Sequence, residues 1–198
     1  LIFSLSRFVL TRCARLTHKS RQALRARKYR LSEMLGRRLR RVDKEKMSFY
    51  ITDISKDEII IIKGLWEKLN QIHLDDSVYF KDHYQSFTFE NRIKDLIDLE
   101  ENKIKISVVK KIDTIYGYCL SSIHGIKGEI ESLYLSKEIR NKDYGKTLVQ
   151  NHINWFESNQ CERIVVTVSH GHDSVLGFYH KMGFYERLIQ LEYRSNAN

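Results

Sequence analysis

The clearest periodic pattern in the chain lies at residues 59–69, where apolar side chains recur three and four positions apart. This spacing predicts a helix with one buried face. Ser55 precedes the helix and Glu58 follows three positions later, which is the pattern of a capping box. We therefore expect the first helix to start directly after Ser55.

Shorter patterns predict the remaining elements. Strand-like alternation or short apolar runs predict strands at residues 49–54, 105–110, 114–122, 129–135, 163–168 and 184–193. Helices are predicted at 91–101, around the apolar positions of 148–156, and at 173–182. The order β-α-α-β-β-β-α-β-α-β predicts an α/β or α+β domain with a mixed sheet.

Charge is distributed unevenly and indicates two segments. Residues 1–46 carry eleven Arg and four Lys against three acidic residues, a net charge of +12, whereas residues 47–198 carry a net charge of −3. The basic segment fits three interpretations: sequence upstream of a true start at Met47, a mitochondrial targeting peptide, or a flexible arm for nucleic acid or an anionic membrane. We expect the domain itself to span residues 47–198.

Several classes of protein are disfavoured by composition. Three cysteines without a Cys-x-x-Cys pair argue against a disulfide scaffold and a zinc knuckle, and favour a reducing compartment. The longest unbroken aliphatic run is residues 59–62, which predicts no membrane span. Because the net positive charge lies in residues 1–46, nucleic-acid binding is not expected of the domain. We expect a cytoplasmic protein, or a mitochondrial one if residues 1–46 are a presequence.

The most informative chemistry lies in the loop at residues 140–146 and the helix behind it. Gly145 near the helix start leaves several backbone N–H groups free, and Arg140, Lys142 and Lys146 add positive charge. Such a helix N-terminus is suited to bind a pyrophosphate. About thirty residues later, the segment 177–184 places a tyrosine on a helix that ends at a glycine.

With both segments present, the chain resembles the GNAT superfamily of acyl-CoA-dependent N-acetyltransferases over about residues 49–193. The phosphate signature Q/R-x-x-G-x-G/A matches at Arg140 and Gly145, and the C-terminal signature matches at Phe178, Tyr179, Gly183 and Phe184. Three positions depart from the family pattern. Asp143 replaces the first signature glycine, Lys137 replaces a frequent proline, and His172 replaces a frequent asparagine.

The resemblance implies a GNAT-like fold, acetyl-CoA as co-substrate and a role for each matching residue. The backbone of Leu133 and Leu135 would pair with the pantetheine amides, and Tyr179 would protonate the leaving thiolate. The loop that would hold the pyrophosphate comprises Arg140, Asn141, Lys142, Asp143, Tyr144, Gly145 and Lys146. His172 and Ser174, at the start of the last helix, would contact the cofactor. Asp143 brings a negative charge to this site and lacks the conformational freedom of glycine.

The acceptor amine needs a proton acceptor, for which Glu129 and Glu131 are the candidates. They lie two positions apart and so share one face of a strand, and neighbouring carboxylates suit a general base. Either could equally be an ordinary solvent-facing residue. Glu129 is favoured because it lies farther from the phosphate loop.

The segment that borders the acceptor pocket in the family contains His73, Tyr79, Phe80 and Tyr84, whose rings would suit a cationic amine. Core and surface packing explain these residues equally well. No histidine set has an evident acidic partner, so no metal is expected.

The resulting prediction is an N-acetyltransferase that moves an acetyl group from acetyl-CoA to a primary amine by direct attack. A non-catalytic acyl-CoA binder or sensor of the same fold is the first alternative, motivated by Asp143 and His172. A nucleic-acid-associated protein that acts through residues 1–46 is the second. The acceptor can be a small molecule or a protein amine, and the chain a monomer or a homodimer.

Overall fold

The computed structural model describes residues 22, 26–35, 48–97 and 103–193, apart from the side chains of residues 173 and 174. The chain divides into two compact units, residues 1–48 and 49–198. In the first unit, residues 26–35 are helical with exposed side chains. Met47, the predicted start of the domain, lies outside the described residues, and the predicted domain boundary stays a prediction.

The second unit is built on a five-stranded mixed sheet. Its strands are β1 (Tyr50–Ile54), β2 (Lys103–Lys111), β3 (Thr114–His124), β4 (Lys127–Leu135) and β5 (Arg163–Val166), in that spatial order. The first three pairings are antiparallel, whereas β4 and β5 run parallel. The α/β fold class predicted from the sequence is thereby confirmed.

Helices cover both faces of the sheet. A 3-10 turn (Lys56–Ile62) leads into α1 (Lys63–Asp76), followed by α2 (Lys81–Ser86), α3 (Phe89–Ile97), α4 (Tyr144–Ser158) and α5 (Asp173–His180). On one face, α1 and α3 pack a core around Trp66 and Tyr118. On the opposite face, α4 and α5 pack a second core around Phe156 and Tyr179. Each sheet face therefore has a hydrophobic core of its own.

Local sequence signals explain how several elements begin. The Glu58 carboxylate accepts the backbone N–H of Ser55 at 3.0 Å, so the predicted capping box is confirmed. It opens the 3-10 turn that precedes α1 rather than α1 itself. Gly128 lies within β4, where its missing side chain leaves room for the Phe156 ring of α4. Phe156 packs over the strand at that point.

The structure differs from the prediction in two elements. Residues 78–89 contain the short helix α2, which was not predicted. Its sequence has no apolar stripe, and none of its residues is buried. The strand predicted at 184–193 is wrong for the single chain, because these residues form no strand and 185–193 are exposed. A strand needs a hydrogen-bonding partner, and no described strand pairs with this segment.

A bulge interrupts the pairing of β3 with β4. Leu120 pairs with Ser132 and the next residue, Ser121, pairs with Ile130, so Glu131 is an extra residue on β4. The Glu131 carboxylate accepts a hydrogen bond from Ser122, which is the partner of Glu129 in the sheet. Glu129 and Glu131 thus share one face of β4, as the sequence predicted. In the structure this is the face covered by α1 and α3.

Candidate active site

The parallel strands β4 and β5 stay paired only over the first half of β4. Their last paired residues are Ile130 and Val166, and Glu131 with its bulge follows at once. β5 ends at Val166, while β4 continues to Leu135. Among the described strands, none pairs with this second half of β4 on the side facing away from β3. The polar backbone groups there are available to a ligand.

The backbone direction along β4 identifies which residues face this open edge. The N–H of Ser136, the residue after β4, donates to the Tyr116 carbonyl of β3 at 2.7 Å. Because backbone groups alternate sides along a strand, those of Leu133 and Leu135 point away from β3. In agreement, the Arg140 Nε donates to the Leu135 carbonyl at 2.8 Å. Leu133 and Leu135 therefore present the groups that an amide-containing chain would pair with.

The loop that connects β4 to α4 has the conformation of an anion-binding nest. Asn141 and Asp143 have φ values of 58° and 60°, so two left-handed residues flank Lys142. This alternation turns successive backbone N–H groups toward one side, next to the start of α4. The first intrahelical bond runs from the Thr147 N–H to the Asp143 carbonyl, at 2.9 Å. The N–H groups of residues 144–146 lie before that bond and are free for an anion.

Asp143 adopts the left-handed conformation that the signature glycine would take, with φ 60° and ψ 0°. Aspartate tolerates this region better than most residues with a side chain, so the backbone objection raised from the sequence does not hold. Its carboxylate is exposed and makes no capping hydrogen bond with the helix. Lys142 donates to the Glu138 carbonyl at 2.7 Å, and Lys146 on α4 is exposed.

Gly145 allows α4 to approach β4 and α5 at the same time. A Cβ at this position would lie 3.1 Å from Leu135 Cδ1 and 3.5 Å from the Phe178 ring. The residue is buried although both its neighbours reach solvent. A larger side chain would push the helix N-terminus away from the end of β4.

Tyr179 lies near the C-terminus of α5 and is only 6% exposed. Burial raises the pKa of its hydroxyl well above the ordinary value, with a smaller contribution from Cys119. The phenol is therefore protonated at neutral pH, as a proton donor must be. Burial also raises the pKa of the Cys119 thiol to about 12, so this thiol is not a nucleophile near neutral pH.

The end of α5 holds Tyr179 in place. The Phe184 N–H donates to the Tyr179 carbonyl at 3.1 Å and the Gly183 N–H to the His180 carbonyl at 3.0 Å, which together form a Schellman motif. Gly183 supplies the left-handed residue of this motif, with φ 86°. The Phe184 ring packs edge-on against Tyr179, with centroids 5.7 Å apart. The Gly-Phe pair predicted from the sequence thus fixes the backbone and the ring of Tyr179.

Glu129 and Glu131 have different surroundings. Glu131, with a side chain 9% exposed, accepts hydrogen bonds from Arg92 on α3 and from Ser122. Glu129 is 21% exposed and pairs with Lys127 at 2.6 Å, a residue whose side chain is 43% exposed. Its second oxygen accepts the Thr167 hydroxyl at 3.1 Å, directly after β5. Each carboxylate thus has its own cation, and Glu129 is the more accessible one.

Two of the predicted acceptor residues, His73 and Tyr84, belong to a polar cluster that joins α1 to the loop before α5. Nδ1 of His73 lies 2.9 Å from Nε2 of His172, and Nδ1 of His172 lies 3.5 Å from the Asp76 carboxylate. The His73 ring stacks on Tyr84, whose hydroxyl donates to Ser169 at 3.2 Å. Burial, and next the neighbouring His172, lower the pKa of His73 to about 4. His73 is therefore neutral at physiological pH.

The other predicted ligand-binding residues have varied positions. The ring of His172 packs against the end of α1 and lies at the N-cap of α5. Tyr79 is 64% exposed, and the Phe80 N–H donates to Ser77 Oγ at 3.0 Å. The side chain of Ser174 lies outside the described residues. The structure thus brings His73, Tyr84 and His172 together.

Sequence reasoning missed the partners of the candidate acids. Arg92, Ser122 and Thr167 contact Glu131 or Glu129 across 39, 9 and 38 positions of sequence, respectively. None belongs to a recognisable motif. Arg92 carried one usable signal, since it is a cation on a predicted helix, but the sequence did not indicate which strand that helix covers.

Comparison with known families decides the assignment of the chain. Residues 66–184, more than half of the sequence, match the family model described as Acetyltransferase (GNAT) family. The chain belongs to the GNAT family. The matched region contains every residue of the open edge, the nest and the Tyr179 helix end. The resemblance inferred from Arg140, Gly145 and the segment around Tyr179 is thereby confirmed.

Solved structures share this GNAT fold at low sequence identity. The PaiA N-acetyltransferase from Thermoplasma acidophilum, solved with coenzyme A, is 21% identical with a TM-score of 0.55, over 70% of this chain and 91% of its own. The aminoglycoside N-acetyltransferase AAC(6')-Iy, solved with CoA, is 13% identical with a TM-score of 0.54, over 75% and 100%. A mutant of the BH1408 protein from Bacillus halodurans is 15% identical with a TM-score of 0.59, over 73% of this chain and 99% of its own.

Two further observations do not change the family assignment. Among curated proteins, no sequence matches the chain significantly. Within the described part of the chain, no helix is long and apolar enough to cross a membrane.

Proposed function

We propose that the chain is an N-acetyltransferase that uses acetyl-CoA to acetylate a primary amine by direct attack. One observation carries the proposal: a nest and a helix N-terminus lead into the open edge of β4, on the side of the sheet where the buried phenol of Tyr179 lies. A nest-shaped loop, a strand edge without a partner strand and a protonated phenol thus occur together. This is the set that a pantetheine thioester with a pyrophosphate requires.

The residues present fit such a ligand. Gly145 leaves no side chain between the start of α4 and the end of β4, and Leu133 and Leu135 direct backbone groups outward. The N–H groups of residues 141–146 would bind the pyrophosphate, and the strand edge would orient the pantetheine arm. Arg140 would have to release the Leu135 carbonyl for this pairing. Bound acetyl-CoA supplies the acetyl group as a thioester, which an amine attacks directly.

Tyr179 acts in this proposal as the general acid. Its protonated hydroxyl donates a proton to the departing sulfur. The apolar surroundings that raise its pKa also keep bulk water away from the donor. No covalent enzyme intermediate is needed, and the Cys119 thiol is unsuited to form one.

Glu129 acts in the proposal as the group that receives the proton of the incoming ammonium, directly or through water. Its partner Lys127 is the more exposed member of the pair, so an acceptor cation can replace it at little energetic cost. Glu131 is the less accessible carboxylate, with a side chain 9% exposed against 21% for Glu129, and it is paired with Arg92 of α3. Glu131 therefore serves to position the bulge and the strand edge.

The experiment that tests the proposal first measures binding and then turnover. Acetyl-CoA is titrated into the full chain by calorimetry, and CoA formation is followed chromatographically with a panel of small amines and lysine peptides. We expect one site per chain and at least tenfold weaker binding in Gly145→Val. Tyr179→Phe should bind normally and lose about 10²-fold or more in kcat. Glu129→Gln should lose activity chiefly at low pH, where the amine is protonated.

The results separate the alternatives. Binding without turnover of any amine indicates a non-catalytic acyl-CoA binder of the same fold. Normal turnover in both Tyr179→Phe and Glu129→Gln would remove the assigned roles while leaving the reaction in place. Absence of acetyl-CoA binding would refute the proposed enzyme.

A further inference from the structure

The β5–α5 loop, residues 167–172, connects the two candidate catalytic groups. At its first residue, the Thr167 hydroxyl donates to the Glu129 carboxylate at 3.1 Å. At its last residue, His172 occupies the N-cap of α5, the helix whose other end carries Tyr179. The position of this loop therefore affects where the proposed base and the proposed acid lie relative to each other.

Side chains of α1 and α2 hold the rest of the loop. The Tyr84 hydroxyl of α2 donates to Ser169 Oγ at 3.2 Å. On α1, Nδ1 of His73 lies 2.9 Å from Nε2 of His172, so the two rings share a hydrogen bond. The His73 ring also stacks on Tyr84, with centroids 5.5 Å apart. These contacts join segments that lie 85 and 99 positions apart in the sequence.

Both ring nitrogens of His172 face groups of α1. Nε2 is hydrogen-bonded to His73, and Nδ1 lies 3.5 Å from the Asp76 carboxylate. The His172 side chain is only 13% exposed. Because His73 is neutral at physiological pH, the two rings do not repel each other. His172 therefore interacts with α1, whereas the family pattern implies a contact with the cofactor at this position.

We propose that the histidine pair, His73 with His172, positions the β5–α5 loop for acetyl transfer to the amine and takes no part in binding acetyl-CoA. The proposal rests on the proposed function, because it assigns the pair a positioning role in that reaction. The pair keeps Thr167 against Glu129 and fixes the start of α5 against α1. In this role the two histidines act through their neighbours and not on the reacting atoms.

Two substitutions at position 172 distinguish the histidine pair from a cofactor contact. Glutamine carries its amide about as far from the backbone as His172 Nε2, whereas asparagine, the residue frequent in the family, is about one bond shorter. His172→Gln therefore retains the reach to His73, and His172→Asn loses it. A cofactor contact of the family kind would instead be retained by asparagine and disturbed by glutamine.

Steady-state kinetics and titration with acetyl-CoA on the full chain are the first measurements. His172→Asn should lower kcat/KM for the amine about tenfold or more, because small displacements of reacting groups are costly. Its Kd for acetyl-CoA should stay within about twofold of wild type, since the nest and the β4 edge lie outside the loop. His172→Gln should retain most of the activity. His170→Asn is the matched control, an exposed histidine of the same loop, and should behave as wild type.

A double-mutant cycle tests whether the two histidines act as one unit. His73→Leu should give the same loss of kcat/KM as His172→Asn, and the double variant should lose no more than either single variant. Additive losses would overturn the pairing. Unchanged acetyl-CoA binding shows in each case that the variant is folded.

Amide exchange in α5 provides a measurement that needs no turnover. The Val175 N–H donates to the His172 carbonyl at 2.9 Å in the first turn of α5. Without the contact to His73, this turn should open more often. Hydrogen–deuterium exchange across residues 175–180 should therefore rise about threefold or more in His172→Asn and stay at the wild-type rate in His172→Gln and His170→Asn.

The outcomes separate this proposal from the proposed function. If the wild-type chain acetylates no amine, the proposed function fails, and the exchange measurement still decides whether the histidine pair holds the loop. Normal activity and normal exchange in His172→Asn would overturn the pair. Weaker acetyl-CoA binding in His172→Gln would also overturn it, since that result is expected of a cofactor contact.

Discussion

His152 makes the stability of the domain depend on pH in a way that can be calculated from its surroundings. The imidazole is fully buried under the sheet, between Ser121 Oγ at 2.6 Å and Ser107 Oγ at 3.0 Å. Burial, followed by the nearby Lys105, lowers its pKa to about 3. The ring is therefore neutral in the folded protein at every pH above that value.

In the unfolded chain the same histidine takes up a proton near pH 6.5, so the unfolded state binds more protons between pH 6.5 and 3. Stability contributed by the neutral ring is thus complete above pH 6.5 and is lost as the pH falls. Between pH 7.5 and 5.0, only the roughly 1.5 pH units below 6.5 contribute, so the free energy of unfolding falls by about 2 kcal/mol. His73, whose pKa is also lowered, adds a loss of the same sign.

Urea unfolding followed by circular dichroism at pH 7.5 and 5.0 tests this reasoning. His152→Gln should be less stable than wild type at pH 7.5 by about 1–3 kcal/mol, because its amide replaces the two hydrogen bonds imperfectly. Between the two pH values, however, it should lose about 2 kcal/mol less than wild type.

The matched control is His170→Gln, which removes an exposed histidine and should leave the wild-type pH dependence intact. Equal losses for wild type and His152→Gln between pH 7.5 and 5.0 would refute the argument.

Three further predictions concern packing around the site and are tested by urea unfolding. Gly128→Ala should destabilise by about 2–4 kcal/mol, because the new Cβ would lie 2.4 Å from a carbon of the Phe156 ring; a neutral result would contradict the close packing of α4 on β4. Gly183→Ala should cost about 1–2 kcal/mol through its φ of 86° alone, since a Cβ there has open space, while Gly183→Asn should cost less; equal effects would count against the left-handed helix end. Arg92→Leu should destabilise by about 2 kcal/mol or more because it leaves a buried carboxylate unpaired, whereas Glu131→Gln should cost less; a larger loss for Glu131→Gln would contradict this cost of an unpaired carboxylate.

Much of the fold could be predicted because its signals are local. The apolar stripe of α1, the Ser55–Glu58 contact and the glycine that ends α5 each depend on residues within a few positions of one another. The position of the loop at residues 140–146 directly before a helix was also predictable, because Gly145 and the apolar positions of 148–156 lie close together in the sequence.

The remaining features depend on contacts between distant segments. His73 and His172 meet across 99 positions of sequence, and neither has a motif that indicates the other. The bulge at Glu131 depends on the register of β4 against β3, which one strand alone does not specify. From the sequence, Asp143 counted against cofactor binding because it is not a glycine. Its left-handed backbone conformation, which matches that of the signature glycine, is visible only in the structure. The segment 184–193 has a strand pattern, but its partner is not found within the described chain.

The bulge gives β4 an unusual tolerance to a change in its length. Removing one residue from a regular strand inverts the facing of everything beyond the deletion. In β4 the loss of Glu131 would instead restore strict alternation, with Ser132 and Tyr134 still on the α1 side and Leu133 and Leu135 still facing α4. A descendant lacking this codon would thus retain its cores and lose one carboxylate together with the bulge. A deletion at this position would therefore change the polar groups beside the strand edge without changing the packing of either core.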